Sequence, residues 1–469
     1  MFTRRRALQS SAVSLGYFLT GPALSIARTL GANEKLRVAG IGVGGKGGSD
    51  IAQAGNLMQV VALCDVDEQR SGDAAARFRD ARRFTDYRKL MDEMGKQFDA
   101  VTVSTADHSH APAAVLAMRA GKHVYCQKPL THTVAESRLM RETAAKHGVC
   151  TQMGNQGSAH NGLRRAVELV QGGIIGNVIE AHVWTNRPWK YWKQAPTYTA
   201  RPKDTPPAPQ YLHWDEWLGT APARPYAVQP DKKPAYHPHD WRGWWDFGTG
   251  ALGDMACHTA NMAFRAMKLD APIAVFADAG TINPETYPAW AHIQYMYAAR
   301  GSLPAVTLHW YEGSNEGKRV LPPEALISKL LKPGEKLSDS GSILVGEKGT
   351  LFSPNDYGAQ FTFFPEEIGR GIQTAKPEKL PEGVFNNEDQ HQKTEWVNAI
   401  KANKPEIAFS NFGFAGRLTE AMLLGNIAVR FAGEKLEWNA DKLQFANSKK
   451  ATMLVSKEYR KGWELPGIA

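Results

Sequence analysis

Three groups of residues in this 469-residue chain could carry one reaction between them. Lys128, with Pro129, follows the apolar run His123–Cys126. An ammonium fixed at such a point can hydrogen-bond an oxygen on which negative charge develops. Asp254 and His258 lie four residues apart, which on a helix places a carboxylate and an imidazole on one face. That spacing alone also suits a surface ion pair or two metal ligands. The third group is Gly42-Val43-Gly44-Gly45-Lys46-Gly47, whose glycines permit a tight turn and a close approach of backbone to a pyrophosphate. Oxidising a secondary alcohol needs a hydride acceptor, a base for the hydroxyl proton and a donor that steadies the oxygen. Lys128, Asp254 and His258 can divide the last two tasks, with His258 as the general acid/base.

The elements that would hold these groups follow from periodicity. Residues 36–41, 60–64, 100–104 and His123–Cys126 read as short buried strands. Residues 49–54, 111–120 and Val134–His147 between them have helical spacing. This alternation predicts a doubly wound parallel sheet. The glycine motif sits where the first strand passes into a helix, with Gly42, Gly44, Gly45, Lys46 and Gly47 as candidate cofactor contacts. The second strand ends at Asp65, 21 residues beyond Gly44, where a carboxylate can accept from ribose hydroxyls. A carboxylate there repels a 2′-phosphate, so NAD is expected in preference to NADP, with Arg70 the nearest cation that could alter this.

Three further motifs, 103–110 (Val-Ser-Thr-Ala-Asp-His-Ser-His), 126–130 (Cys-Gln-Lys-Pro-Leu) and 253–258 (Gly-Asp-Met-Ala-Cys-His), together resemble the glucose-fructose oxidoreductase/inositol dehydrogenase (Gfo/Idh/MocA) family. The resemblance runs from about residue 36 to about 445 and is closest to exported, sugar-associated members, on Gly154-Asn155-Gln156-Gly157, Trp241-Arg242-Gly243-Trp244 and 246–250. It implies a Rossmann domain followed by an α/β domain on a large open, mostly antiparallel sheet, and a catalytic group of Lys128, Asp254 and His258. It also implies that Thr105, His108 and His110 lie in the loop beneath the nicotinamide. The family usually has Glu before the Lys-Pro pair; Gln127 stands here, removing a charge that would help keep Lys128 protonated. The expected boundaries are 1–32 for a signal, 33–155 for the nucleotide domain and 156–469 for the substrate domain.

Ten of the thirteen tryptophans fall between Trp184 and Trp310. Indole faces stack on the C–H faces of a pyranose, and Gln156, Arg187, His237, Asp240, Trp241 and Arg242 offer the polar and aromatic contacts a sugar or polyol needs. At least half of the rings are expected to fill the core or an interface instead. The proline-rich stretch 187–233 reads as a long ordered excursion over the substrate domain. Beyond it, 293–297 and 305–310 read as antiparallel strands and 395–402 and 414–431 as helices.

Arg4-Arg5-Arg6 ahead of the weakly apolar stretch 10–27 reads as a twin-arginine export signal, hence a periplasmic or otherwise exported protein, membrane-anchored if the signal is retained. Lys+Arg 56 against Asp+Glu 47 gives +9, but residues 1–32 hold four of the arginines and no acid, so about +5 remains elsewhere. That excess is too small to argue for nucleic acid. Cys64, Cys126, Cys150 and Cys257 are far apart among apolar neighbours, which predicts buried thiols. The His-x-His of 108–110 lacks a completing set for zinc, so no metal is expected. The function expected is an exported NAD-dependent oxidoreductase of a sugar, glycoside or polyol, assembled as a homo-oligomer with no integral membrane domain. Two rivals stand beside it: a redox-neutral NAD-dependent glycosidase, whose known family members lack the lysine present here at 128, and a sugar-binding protein that retains NAD without catalysis.

Overall fold

Strands that are apolar on both faces must be covered on both faces, and the first half of the chain does this. In the computed structural model, which describes residues 35–372 and 388–464, six parallel strands form one sheet. They are β1 (Arg37–Ile41), β2 (Gln59–Cys64), β3 (Arg82–Phe84), β4 (Ala100–Val103), β5 (His123–Cys126) and β6 (Thr151–Met153), in the order β3-β2-β1-β4-β5-β6. The connecting helices are α1 (Lys46–Gly55), α2 (Gly72–Arg77), α3 (Tyr87–Met94), α4 (His110–Arg119) and α5 (Val134–His147). The expected strands and helices of this half are present; His123–Cys126 and Val134–His147 keep the expected bounds and the others differ at one or both ends. Strand β3 was not legible because Arg82 and Arg83 make it an exposed edge rather than an apolar run. Helix α5 is fixed at both ends, by a reciprocal capping box between Thr133 and Glu136 and by Gly148 in the left-handed conformation.

The second sheet begins after α6 (Asn161–Gln171) with β7 (Val178–Thr185). Helices α7 (Trp214–Leu218), α8 (Gly250–Thr259) and α9 (Asn261–Ala266) lead to β8 (Ala274–Ala279), β9 (Trp290–Tyr297) and β10 (Val306–Asn315). Next come β11 (Lys318–Arg319), α10 (Glu324–Ile327), β12 (Gly341–Gly346), β13 (Thr350–Ser353) and β14 (Thr362–Phe364). Helices α11 (Glu388–Ala402) and α12 (Phe412–Val429) precede β15 (Leu436–Asn439) and β16 (Gln444–Phe445). The order is β14-β13-β12-β7-β10-β9-β8-β15-β16, with β11 on β10, and every pairing is antiparallel except β7 with β10. Strand β9 alternates strictly, sending Ala291, Ile293, Tyr295 and Tyr297 into the core.

Two arrangements differ from the expected plan. The stretch 187–233 does not stay over the second sheet; it crosses to the end of β2, where Leu212 bridges Asp67, His213 N–H donates to the Val66 carbonyl at 2.8 Å, and the His213 ring meets Glu68. The C-terminal helices return to the first sheet: α12 lies along α5 with Arg138 paired to Glu420, and α11 inserts Gln392 and Lys393 beside Tyr125. The described residues from Leu36 onward accordingly form one compact unit. The four cysteines are free and buried. Among the described residues no helix is long and apolar enough to cross a membrane; the arginine motif and its apolar stretch lie outside the described residues.

Candidate active site

The glycine turn between β1 and α1 is shaped by what cannot fit in it. A Cβ at Gly42 (φ +73°) would lie 2.6 Å from the Ser104 carbonyl oxygen, and one at Gly47 would lie 1.9 Å from the Gly42 oxygen. Only hydrogen lets strand and helix approach so closely while the helix start stays open to an anion. Asp65 accepts at one oxygen from the N–H groups of Val43 (2.7 Å) and Gly44 (2.9 Å) and at the other from Asp67 N–H (2.9 Å). The carboxylate that sequence assigns to ribose therefore also braces the turn, and it borders the cleft with lone pairs to spare. The Arg70 guanidinium lies against Gly45. Lys46 borders the same space, but its ammonium is drawn to Asp389 (2.6 Å) and Asp50 (3.3 Å).

The cleft, roughly 530 Å³, continues from this turn to α8. Lys128 Nζ donates to Asp254 Oδ1 at 2.7 Å and to the Asp254 carbonyl at 3.1 Å, and Arg242 Nε reaches the same carboxylate oxygen at 3.3 Å. Burial alone would raise the Asp254 carboxyl, but the Lys128 and Arg242 cations outweigh it and hold the group well below the usual carboxylate range. His258, one helical turn on, borders the cleft, and its Nδ1 is buried without a hydrogen-bond partner. Burial, reinforced by the Lys128 ammonium, pushes its imidazole well below the ordinary value, so the ring is neutral. Gln156 reaches the cleft with its amide on the Tyr357 hydroxyl at 3.1 Å, and Tyr357 meets the edge of the His258 ring.

Sequence reasoning placed Asp107 in its motif and gave it no role. It is 3% exposed, accepts from the Thr249 hydroxyl at 2.6 Å and borders the cleft; burial pushes its carboxyl up to about 7. Its neighbours His108 and His110 turn away from the cleft, contrary to the expected cofactor contact. The ring nitrogens of His108 lie against the Phe247 and Trp217 carbonyls, and those of His110 against the Pro129 and Thr105 carbonyls, so that the single N–H of each buried neutral ring has a backbone acceptor. Thr105 does face the cleft.

On the substrate side Arg187, His237, Trp241 and Arg242 line the cleft, with His237 Nε2 2.7 Å from Asp67 Oδ2. Asp240 does not join them: its carboxylate is held by the Gln229 amide at 2.9 Å, away from the cleft. Most tryptophans of the rich segment are buried; Trp217 and Trp241 are the two that reach the cleft, and Trp217 is brought there by the excursion.

Comparison with known proteins decides the family. Residues 36–155 match the NAD-binding Rossmann fold of the Gfo/Idh/MocA oxidoreductase family, and residues 161–306 match that family's C-terminal alpha/beta domain, together more than half of the chain. The chain belongs to the Gfo/Idh/MocA family. Inositol 2-dehydrogenase of Salmonella paratyphi B is 28% identical over 152 residues, 31% of this chain and 45% of that protein. Levoglucosan dehydrogenase of Pseudarthrobacter phenanthrenivorans is 26% identical over 201 residues, 43% of this chain and 40% of that protein. The matches thus span under half the length of these curated relatives. The inositol dehydrogenase homologue of Azotobacter vinelandii, solved with NADH and myo-inositol, superposes with a TM-score of 0.57 at 14% identity, covering 87% of this chain and 98% of that one.

The departure from the family pattern at Gln127 has a local cause. Its amide donates to Asp50 Oδ2 at 2.8 Å, beside Ser104 Oγ at 2.9 Å, while Lys393 Nζ holds Asp50 Oδ1 at 2.6 Å. Asp50 is fully buried; Lys393 and Lys46 overcome the burial that would otherwise raise its carboxyl and hold it low. A glutamate at 127 would set a second carboxylate against this one. The glycine turn, the open helix start and the Asp65 carboxylate border the cleft and fit the NAD of this family's Rossmann domain.

Proposed function

We infer that the chain is an NAD-dependent oxidoreductase acting on a CH–OH group of a sugar, glycoside or polyol. The observation that carries this reading is that Lys128, Asp254 and His258 line the same cleft as the glycine turn, with Lys128 tied to Asp254 and His258 neutral and unpartnered at Nδ1. When bound, NAD supplies the hydride acceptor. Lys128 hydrogen-bonds the substrate oxygen and favours its anionic character; Asp254 keeps the lysine side chain in place; His258 takes the hydroxyl proton. Arg187, His237, Arg242 and Gln156 supply hydrogen bonds for further hydroxyls, and Trp241 supplies an apolar face. The names of the relatives, which act on inositol and levoglucosan, support the polyhydroxylated class.

The test is to denature the purified protein, identify the released ligand by mass spectrometry, and follow reduced-nicotinamide absorbance of the intact holoprotein as polyols, hexoses and hexosides are added. Reduction with intact carbon skeletons recovered supports the dehydrogenase. Released aglycone without net reduction supports the glycosidase, and no spectral change with any compound supports a binding protein.

Export through the twin-arginine route belongs to the same proposal and is supported by Arg4 and Arg5 ahead of a weakly apolar run. Replacing both with Lys should retain the protein in the cytoplasm; unchanged export removes the reading.

A further inference from the structure

On one face of the second sheet, three strands, β7, β9 and β10, bring a second chemical cluster together. Glu180 and His182 lie two residues apart on β7 and so share a face, and His309 on β10 is in direct register with His182 across the parallel pair. The three side chains converge: the donor atoms lie within 4.8 Å of one another, with Glu180 Oε1 3.1 Å from His309 Nε2 and Glu180 Oε2 3.5 Å from His182 Nε2. For metal–ligand bonds of about 2.0–2.1 Å, tetrahedral geometry sets ligand atoms about 3.3 Å apart, between these two values.

The far nitrogens are already engaged. His182 Nδ1 meets the Tyr311 hydroxyl at 3.0 Å, and His309 Nδ1 meets His292 Nε2 at 3.1 Å. Such contacts hold a metal-binding imidazole in the tautomer whose Nε2 lone pair points outward to the ion. His182 Nε2 is buried and has no hydrogen-bond partner, although its side chain is only 2% exposed. A buried polar atom left so is costly unless something occupies the space it faces. Tyr311, which meets His182 Nδ1, belongs to a buried apolar cluster with Trp184, Leu330 and Ile343.

We propose that Glu180, His182 and His309 form a binding site for a borderline divalent cation of the Zn²⁺ class, with His292 and Tyr311 orienting the two imidazoles and the fourth ligand position open beside half-exposed Glu180. The ion would join β7 to β10, the one parallel pairing in the second sheet. This departs from the metal-free expectation of the sequence, in which Glu180, His182 and His309 are too far apart to be read as a set. It is independent of the reaction assigned to the cleft.

The experiment uses the full chain, stripped with a chelator and titrated with Co²⁺, whose visible absorption is intense in four-coordinate and weak in six-coordinate sites. The expected result is one equivalent giving the intense bands, displaced by one equivalent of Zn²⁺. His182→Gln and His309→Gln should abolish the bands, and His292→Gln should weaken binding by about tenfold or more, the scale for losing an orienting partner. Circular dichroism of each metal-free variant checks folding. If a ligand variant does not fold, the His292→Gln shift and the parent spectrum decide. Absence of intense bands in the parent overturns the site, as does Co²⁺ binding that survives His309→Gln or is unmoved by His292→Gln.

Discussion

Lys128 Nζ and Asp254 Oδ1 stand 2.7 Å apart, joining the end of β5 to helix α8 across the cleft. The pair sets the geometry in which His258, four residues along the same helix, faces the same space. A lysine so held gives its largest contribution when charge develops on the reacting oxygen. Lys128→Met and His258→Ala should therefore each lower single-turnover nicotinamide reduction by roughly a hundredfold or more, while NAD affinity barely changes. Parent-like rates in both variants would remove these residues from the reaction.

Asp65 braces the glycine turn through Val43 and Gly44 and also borders the cleft. Calorimetric titration should show NAD preferred to NADP by a few kcal/mol, since a desolvated carboxylate opposes a 2′-phosphate. Asp65→Ser should narrow that gap and also weaken NAD itself, because two N–H groups of the turn lose their acceptor. Arg70, lying against Gly45, is the cation a 2′-phosphate would use; Arg70→Ala should widen the preference for NAD. Equal affinities in the parent would place Asp65 outside the nucleotide site.

What the sequence made legible, and what it hid, follows from the range of the interactions. The strand-to-helix glycine turn, Asp65 and the Asp254/His258 pair are local patterns with fixed spacing, so they could be read. The placement of 187–233 could not, because its contacts with Val66 and Asp67 are long-range and its prolines only signal irregular backbone. The orientation of His108 and His110 is hidden for a different reason. A polar residue in a functional motif looks available until its partners are seen, and both rings are spent on backbone carbonyls. Asp107, immediately before them in the same motif, is not legible because its burial and its contact with Thr249 exist only in the fold.

Asp107 leads to a pH prediction. Burial raises its carboxyl to about 7 in the folded chain, against about 3.9 when unfolded. A group raised in this way contributes its stability in full below the unfolded value, and the contribution is lost as pH rises to the folded one. Asp107→Asn keeps an acceptor for the Thr249 hydroxyl without the ionisation. Its stability relative to the parent, measured by denaturant unfolding, should therefore rise between about pH 4 and 7 and then level off. In the parent, ionisation near 7 adds a negative charge at the wall of the cleft close to Arg242 and Lys128, so single-turnover reduction should change through that pH. In Asp107→Asn the inflection should disappear. A stability difference that does not vary with pH would show that Asp107 is not raised.

The amide at 127 can be tested in the same terms. Gln127 Nε2 donates to the buried Asp50 carboxylate at 2.8 Å, whose other oxygen is taken by Lys393. Gln127→Glu restores the residue usual in the family but exchanges a donor for a second carboxylate at hydrogen-bond distance from the first. The lost bond and the unpaired buried charge together should cost about 1–3 kcal/mol at neutral pH. Burial and the Asp50 charge would both raise the folded pKa of the introduced carboxyl. The deficit should be largest above that raised value and close as pH falls toward about 4.3, the ordinary glutamate value, where the protonated acid can again donate to Asp50. Asp50→Asn in the same chain should recover part of the loss at neutral pH by removing one of the two charges. A Gln127→Glu protein as stable as the parent at neutral pH would mean that Asp50 is not held as a carboxylate, and that the buried Lys393 is neutralised by some other group.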